Sequence, residues 1–328
     1  MIKRIEPEVT DKFRKDPDQE NFLARLNHIL APHQEEDYIE NLPERFPTVH
    51  VIGAPRSGTT LLTQVLAAHT NIGYINNLIA AFWKAPVYGI RLSAQVVPRN
   101  SGSSYQSEFG RTKGIHEPHE FGYFWSELLD YQEMREPEEE KNIDWERVRL
   151  IFTNMTRAYG GPILFKSLLL AWHIPQMQMT LPKTCWLHIR RDPIQNSLSL
   201  LRFRHQFLGS VEKWGSLKPK EYEWLANKPY WEQVAGQVYF LEKRYREQLK
   251  QIPKENILSL TYEELCNSPG EAIKNALRVI NRQGASVSLS SSPPDRFKIQ
   301  KYDLHNEPDS DKIMTAWVKL NQEFGQLD

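Results

Sequence analysis

The sequence predicts an α/β domain with three layers, a mostly parallel sheet flanked by helices. The first observation is a series of short apolar runs with the length of buried strands, at 48–52, 163–165, 184–189 and 257–260. The second is that helical patterns separate these runs, and strands that alternate with helices form parallel sheets. Ligands bind such sheets at the carboxyl ends of the strands, so candidate site residues are sought there.

The other segments suggest the domain organisation. Residues 1–46 are expected to form an N-terminal helical extension, and residues 47–328 a single domain. Residues 70–135 contain many aromatic residues and lack clear periodicity, which is typical of binding loops, so we expect them to form much of a ligand pocket. The helix predicted in the extension carries its apolar residues on one face: Phe22, Leu23, Leu26, Ile29 and Leu30.

Composition excludes several classes of protein. The 328-residue chain has 41 Lys and Arg against 41 Asp and Glu. It lacks the global positive charge on which nonspecific nucleic-acid binding depends, so we expect no nucleic-acid partner. Residues 1–15 are charged throughout, and no run approaches the roughly 18 apolar residues of a membrane span. Together with only two cysteines, Cys185 and Cys266, this predicts a cytoplasmic protein without a membrane span.

A strand, a tight turn and a helix follow one another at 47–69. Gly53 and Gly58 have the spacing of a phosphate-binding loop, in which backbone N–H groups converge on an anion at a helix N-terminus. Triphosphate-binding loops require a lysine after the second glycine, and this chain has Thr59 there. Arg56 places a cation inside the loop instead, where a guanidinium can bind the 5′ end of a nucleotide with a shorter phosphate tail.

A second candidate anion site follows the strand at 184–189. Arg190 and Arg191 end that strand, and Ser199 lies about two turns into a helix that starts near Pro193, so that an arginine and the serine can face one groove. Because adjacent strand residues point in opposite directions, we expect only one of the two arginines to contact a nucleotide. Two more arginines on this helix either assist or face water: Arg202 and Arg204.

Both motifs resemble those of the sulfotransferases that use 3′-phosphoadenosine 5′-phosphosulfate (PAPS). The 5′-phosphosulfate loop of that family reads Pro, a basic residue, Ser-Gly-Thr-Thr, as in Pro55–Thr60. Its 3′-phosphate signature is Arg-(Asp/Asn)-Pro with a serine at the distance of Ser199 from Arg191. The resemblance follows motif order over 48–305 and points to the bacterial-type or tyrosylprotein-sulfotransferase-like branch. It implies a P-loop-like fold, PAPS as donor, no metal, and these donor-binding residues: Arg56, Ser57, Gly58, Thr59, Thr60, Arg191 and Ser199.

The resemblance also suggests catalytic residues. Lys166 ends a buried strand where related enzymes carry a lysine, although Leu168 replaces a proline found in bacterial members. The family base is a histidine or a glutamate, and the run at 116–121 offers both. Glu117 is the first choice, because burial beside aromatic residues would raise its pKa and suit it to accept a hydroxyl proton. His116 follows, and then Glu120 and His119.

For Lys166 and for the run at 116–121, the alternative to a catalytic role is a purely structural one. Lys166 would then be an ordinary lysine at a strand end. The run at 116–121 would be the start of a helix with Glu120 as a first-turn acid. Its histidine spacing fits neither common zinc motif, so no metal site is predicted.

The last resemblance lies towards the C-terminus. The run at 262–265 resembles the family's Tyr-Glu-(Asp/Glu)-Leu stretch, which implies that Tyr262 lies near adenine. Lys298 and Lys301 follow a serine-rich loop, where related enzymes fold a basic segment over the nucleotide, so Lys301 is assigned to donor binding. The Gly-Asp-Trp or Gly-Arg-Trp pattern of many members is missing there.

The implied reaction moves a sulfuryl group from PAPS to a hydroxyl (or amine) of an acceptor, giving a sulfate ester and adenosine 3′,5′-bisphosphate. Arg56 and Lys166 would neutralise the leaving phosphate, by analogy with phosphoryl transfer. The expected acceptor is a small molecule or a carbohydrate, bound largely by residues 70–135. A small-molecule kinase that uses ATP and magnesium, and a nucleotide-binding module without catalysis, are the alternatives. The sequence identifies neither the acceptor nor the oligomeric state.

Overall fold

The computed structural model describes residues 8–98, 102–131, 133–137 and 142–327. Its sheet has five parallel strands in the order β2-β3-β1-β4-β5. The strands are β1 (Thr48–Ile52), β2 (Gly73–Tyr74), β3 (Ile163–Lys166), β4 (Cys185–Arg190) and β5 (Ile257–Thr261). The predicted α/β class with a parallel sheet flanked by helices is confirmed. The sequence missed β2, because a two-residue strand has no measurable periodicity.

Helices follow most strands and cover both faces of the sheet. They are α1 (Pro17–Glu36), α2 (Thr59–His69), α3 (Asn77–Ala80), α4 (Pro86–Val96), α5 (Gly122–Leu128), α6 (Trp145–Tyr159), α7 (Ile174–Thr180), α8 (Pro193–Leu208), α9 (Tyr222–Ala226), α10 (Tyr230–Leu249), α11 (Tyr262–Asn267), α12 (Pro269–Arg282) and α13 (Ser310–Phe324). Short 3-10 helices lie at Asp11–Phe13, Leu168–Trp172 and Lys254–Asn256. In the described part of the chain, none of these helices has the length and apolar content needed to cross a membrane.

The central strand β1 is buried on both faces, as expected for a parallel sheet between two helical layers. Its alternate residues enter different cores. Val49 and Val51 belong to the apolar cluster formed with α2 and α12, whereas Ile52 belongs to the one formed with α5, α6 and α10. This alternation fixes the sheet register and brings the carboxyl ends of β1, β3 and β4 to one edge.

The helix predicted in the N-terminal extension is α1, and its apolar face is only partly buried. Phe22 and Ile29 are 58% and 60% exposed. The buried residues are polar: the Asn27 amide donates to the backbone oxygen of Ala81 (2.7 Å), and the Gln34 side chain accepts from the backbone N–H of Val87 (3.0 Å). These amides complete the backbone hydrogen bonding of α3 and α4, which an apolar side chain cannot do. Of the predicted apolar face, Leu23 packs partly buried against the core.

Candidate functional site

The turn between β1 and α2 has a conformation that small residues permit. Gly58 has φ 106°, and a Cβ there would lie 2.7 Å from the ring of Tyr262. A Cβ on Gly53 would collide with the backbone oxygen of Ile189. Glycine is therefore required at both positions, by close approach and, at Gly58, by the left-handed backbone. The turn delivers the N-terminus of α2, beginning at Thr59, to the carboxyl edge of the sheet.

Arg56 joins the turn to the second arginine motif. Its Nε donates to the Oγ of Ser199 (3.4 Å), and Arg191 Nη1 donates to the Arg56 backbone oxygen (3.4 Å) across 135 residues of sequence. The contact exists because β1 and β4 are neighbours in the sheet. Burial lowers the pKa of Arg56, and Arg191 lowers it further, whereas Tyr302 and Glu120 act against the shift. The two predicted anion sites thus form one cationic site.

Arg191 lies between the aromatic ring of Tyr262 and the C-terminal segment. Its guanidinium carbon is 4.8 Å from the centre of the Tyr262 ring, and its Nη2 donates to the backbone oxygen of Gln300. The Tyr262 hydroxyl accepts from the Gln300 N–H (3.2 Å). Gln195 on α8 holds the next part of the segment through both backbone groups of Tyr302 (2.7 and 3.0 Å). Residues 300–302 therefore cover one side of the site.

Two buried polar atoms at this site have no hydrogen-bond partner within the described residues: Ser57 Oγ and Arg191 Nε. A buried donor without a partner costs about 1–3 kcal/mol, and a bound polar ligand would supply the missing partners. Both point to the same chemistry, because a hydroxyl and a guanidinium N–H donate well to phosphate oxygens. The loop, the arginines and these donors together fit a nucleotide with phosphates at both ends.

Lys166 and Glu120 form a second group of charges beside the turn. Lys166 is 5% exposed, ends β3 next to β1, and its Nζ lies 3.3 Å from Glu120 Oε1. A Cβ at Gly110 would lie 3.2 Å from Lys166 Nζ and 3.7 Å from Thr60 Oγ1, so the ammonium and that hydroxyl flank one glycine. The negative charge of Glu120 also raises the pKa of Arg56, against the larger effect of burial. Lys166 and Glu120 thus lie beside the turn that carries Arg56 and Thr60.

The environment of Glu117 differs from that of Glu120. Its carboxylate is 1% exposed and accepts hydrogen bonds from the Ser104 N–H (2.6 Å), the Ser103 hydroxyl (3.0 Å) and the Gln64 amide (3.0 Å). Burial would raise the pKa of Glu117, but these hydrogen bonds stabilise the carboxylate and lower it. The prediction of a raised pKa was therefore wrong. The aromatic neighbours were visible in the sequence, whereas the donors from α2 and from residues 103–104 were not.

The two histidines of the run differ in exposure. His116 is half-buried and its Nε2 lies 4.0 Å from Glu117 Oε1. His119 is exposed, and its Nδ1 accepts from the Phe121 N–H (2.8 Å). Partial desolvation lowers the pKa of His119, and the charges of Lys15, Lys166 and Arg111 lower it further. These positive charges favour the neutral form of the His119 ring.

The remaining arginines of the second motif have other surroundings. Arg204 is fully buried and donates to the side chains of Gln233 (2.7 Å) and Gln237 (2.9 Å) on α10. It therefore links two helices, and neither predicted alternative, assisting at the second anion motif or facing water, describes it. Arg202 lies over the ring of Tyr302, 5.1 Å from its centre. Arg190 ends β4 beside Arg191. The assignment of Arg191 to the nucleotide, with Arg190 pointing elsewhere, remains a prediction.

Lys298 and Lys301 are exposed on the segment that carries Gln300. Their predicted contact with a nucleotide stays a prediction. Sequence reasoning missed the neutral residues that shape the site, Gln195 and Gly110 among them. Neither gives a signal in the sequence, since each acts only through a partner far along the chain. No group of three potential metal ligands is found in the described ranges.

Comparisons with known proteins identify the family of the chain and proteins of similar structure. The model of the Sulfotransferase family matches residues 47–283. The structure is similar to that of the sulfotransferase STF9 from Mycobacterium avium, with a TM-score of 0.57 and 15% identity over 98% of this chain and 88% of that one. STF1 from Mycobacterium tuberculosis has a TM-score of 0.47 and 12% identity over 89% of this chain and 75% of that one.

The STF9 likeness, at this identity, supports the fold alone. No protein in the curated set matches the chain. The family match spans well over half of the sequence and includes both anion motifs, Lys166 and Tyr262. The chain therefore belongs to the sulfotransferase family.

Proposed function

We propose that the protein transfers the sulfuryl group of PAPS to a hydroxyl (or amine) of an acceptor, releasing adenosine 3′,5′-bisphosphate. The observation that carries the proposal is the contact of Arg56 with Ser199 and Arg191. A donor with phosphate groups at its 5′ and 3′ ends requires two cationic sites within one cleft. PAPS has that form, whereas a triphosphate requires a lysine that Thr59 replaces.

The donor-binding residues are assigned in order, beginning with the turn between β1 and α2. Arg56 and the backbone of α2's first turn would bind the 5′-phosphosulfate, with Ser57, Gly58, Thr59 and Thr60 shaping the turn. Arg191 and Ser199 would bind the 3′-phosphate. Tyr262, already stacked on Arg191, would lie against the adenine, and Lys301 would approach the nucleotide from the exposed segment.

The catalytic groups are assigned from the charges beside the turn. Lys166, buried near the hydroxyl of Thr60, would stabilise the negative charge that develops on the leaving phosphate. Glu120, 3.3 Å from Lys166, would take the acceptor proton. It replaces Glu117 as our first choice, because the Glu117 carboxylate is already occupied by Ser103, Ser104 and Gln64. His116 remains the second candidate.

The acceptor hydroxyl oxygen would attack the sulfur in line, form the new S–O bond and lose its proton to Glu120. The bond between sulfur and the bridging oxygen breaks, and its electron pair stays on the 5′-phosphate next to Arg56 and Lys166. Catalysis then consists of positioning and charge stabilisation, with no metal expected. The acceptor is proposed to be a small molecule or a carbohydrate, bound partly by residues 70–135, and the protein to act in the cytoplasm.

Calorimetric titration with adenosine 3′,5′-bisphosphate tests the donor assignment. We expect 1:1 binding, and Arg191→Gln should weaken it by roughly 10- to 150-fold, since a hydrogen bond to a charged group contributes about 1.5–3 kcal/mol. Arg278→Gln is the matched control, because Arg278 is exposed on α12 and donates to Asn275. Tighter binding of magnesium-ATP than of the bisphosphate would favour a kinase. Bisphosphate binding without transfer of radiolabelled sulfate to any acceptor would favour a non-catalytic module.

A further inference from the structure

A tight hairpin at residues 108–111 carries Phe109 and Gly110 at its tip. Its two ends exchange backbone hydrogen bonds: the Glu108 N–H donates to the Arg111 oxygen (2.9 Å), and the Arg111 N–H donates to the Glu108 oxygen (3.0 Å). Both tip residues have positive φ, 52° at Phe109 and 89° at Gly110, as a type I′ turn requires. Such turns favour Asn-Gly, so Phe109 is held against its backbone preference.

The N-terminal segment before α1 and the helix α8 hold this hairpin in place. Lys12 forms an ion pair with Glu108, and Arg111 Nη1 donates to the Phe13 backbone oxygen (2.7 Å). The Phe109 ring packs edge-on against three other rings at centroid distances of 5.7, 5.6 and 5.9 Å: Phe13, Phe203 and Phe207. A strained residue persists where its surroundings determine its conformation, and these contacts determine that of Phe109.

The tip of the hairpin lies beside the two cations proposed for the 5′ end of the donor. The centre of the Phe109 ring is 5.4 Å from the guanidinium carbon of Arg56. Gly110 approaches Lys166, since a Cβ at Gly110 would lie 3.2 Å from the Lys166 Nζ. A side chain at this position would crowd the ammonium, and the left-handed backbone also favours glycine. The hairpin therefore brings an aromatic ring to Arg56 and leaves room for Lys166.

The ring restrains the Arg56 side chain in a way that its hydrogen bond does not. Arg56 Nε donates to the Ser199 Oγ at 3.4 Å, which is long for a hydrogen bond. A ring within about 6 Å of a guanidinium attracts it through the negative face of its π-system. Ser199 is also assigned to the 3′-phosphate, whereas the Phe109 ring has no polar atom to offer the nucleotide. Phe109 can therefore keep its contact with Arg56 when a nucleotide binds.

We propose that Phe109 is a positioning residue, which holds the Arg56 guanidinium in the orientation that binds the 5′-phosphate end of the donor. The inference rests on the proposed assignment of Arg56 to that end. A guanidinium that is already oriented loses less conformational entropy on binding, which amounts to roughly a 2- to 10-fold gain in affinity for one long side chain. The N-terminal segment acquires a role as well, because it holds the hairpin that carries Phe109.

The test compares adenosine 3′,5′-bisphosphate with adenosine 3′-monophosphate by calorimetric titration of the full chain. The monophosphate lacks the 5′-phosphate, so it reports the nucleotide contacts other than that of Arg56. Phe109→Asn places Asn-Gly at the tip, the pair that this turn prefers, and removes the ring while keeping the hairpin. We expect Phe109→Asn to weaken bisphosphate binding by roughly 2- to 10-fold and to leave monophosphate binding unchanged. An equal loss for both nucleotides would indicate a purely structural role and overturn the proposal.

A second variant and a matched control accompany this comparison. Phe109→Leu keeps an apolar side chain among the phenylalanine rings but has no π-system, so it should weaken bisphosphate binding by a similar factor. Phe22→Asn makes the same change at a phenylalanine that is exposed on α1, and it should bind both nucleotides like the wild type. Wild-type affinity for the bisphosphate in Phe109→Asn or in Phe109→Leu would overturn the proposal.

The Arg56→Ala background shows whether the ring acts through the guanidinium. With no guanidinium to orient, Phe109→Asn should weaken bisphosphate binding no further, and a further loss as large as that in the wild-type background would overturn the proposal. Failure of the wild type to bind the bisphosphate would overturn the proposed function and the inference with it. Tight wild-type binding with unchanged affinity in the Phe109 variants would overturn the inference alone.

Discussion

The donor side and the acceptor side of the candidate site are built in different ways. The donor-side residues follow the ends of β1 and β4, two neighbouring strands, and their order along the sequence already predicts that they meet. The residues proposed for the acceptor side, Glu120 and His116 among them, come from the loop before α5 and lie near Lys166 at the end of β3. Strand pairing positions the first group, and side-chain contacts position the second. Motifs at strand ends are therefore the more dependable guide to a site.

Glu117 and Glu120 show how strongly side-chain contacts decide the environment of a residue. Glu117 and Glu120 are three residues apart and have similar sequence surroundings. One is buried and hydrogen-bonded to Ser103, Ser104 and Gln64, and the other is partly exposed beside Lys166. The backbone from Glu117 to Glu120 belongs to no helix or strand, so no regular periodicity relates the directions of the two side chains. Each prediction below tests one side of this comparison.

The largest effect is expected from Arg56→Ala. Removing the cation at the 5′ end should lower kcat by at least about 10²- to 10³-fold, the usual cost of losing one group that stabilises transition-state charge. Circular dichroism and the melting temperature should change little, because the Arg56 side chain contributes one long hydrogen bond to Ser199 and a contact with the Phe109 ring. Arg56→Lys, which keeps the charge, should recover part of the rate. Normal turnover in Arg56→Ala would refute the role given to the donor side.

An intermediate effect should separate the two glutamates. Glu120→Gln is expected to lower kcat/KM by about 10²- to 10⁴-fold, the range for loss of a general base, with little change in melting temperature. Glu117→Gln should act mainly on stability, because its new N–H₂ group would face existing donors in a buried site, at about 1–3 kcal/mol. Steady-state kinetics and thermal melting of both variants measure this. A larger kinetic loss in Glu117→Gln would restore Glu117 as the base.

The smallest effect concerns pH. The pKa of Glu117 is lowered from 4.5 in the folded protein, so the folded state binds this proton less readily than the unfolded chain. The carboxylate therefore contributes stability above about pH 4.5, and that contribution is lost as the pH falls through the folded-state pKa. Between neutral pH and pH 3, the melting temperature should fall more in the wild type than in Glu117→Gln. If the melting temperatures of the two proteins fell equally with pH, the hydrogen bonds to the Glu117 carboxylate would not contribute the stability proposed here.

The sequence by itself determined the fold class and the positions of both anion motifs. The apolar run at 48–52 predicted β1 with its observed bounds, and Gly53, Gly58 and Arg56 marked the turn that follows. These signals are local: a buried strand must be apolar, and a tight turn against a neighbouring strand must be glycine. The family assignment followed from the order of such local motifs and is confirmed by the family match.

Only the tertiary structure decided which carboxylate lies beside Lys166, which residues of α1 are buried, and that Lys15 contacts Tyr123 on α5. Each of these depends on partners distant in sequence, such as the α2 amide that holds Glu117 or the α4 backbone that binds Gln34. The pKa and orientation of a polar side chain are set by the donors and charges around it, and those are assembled only when the chain folds.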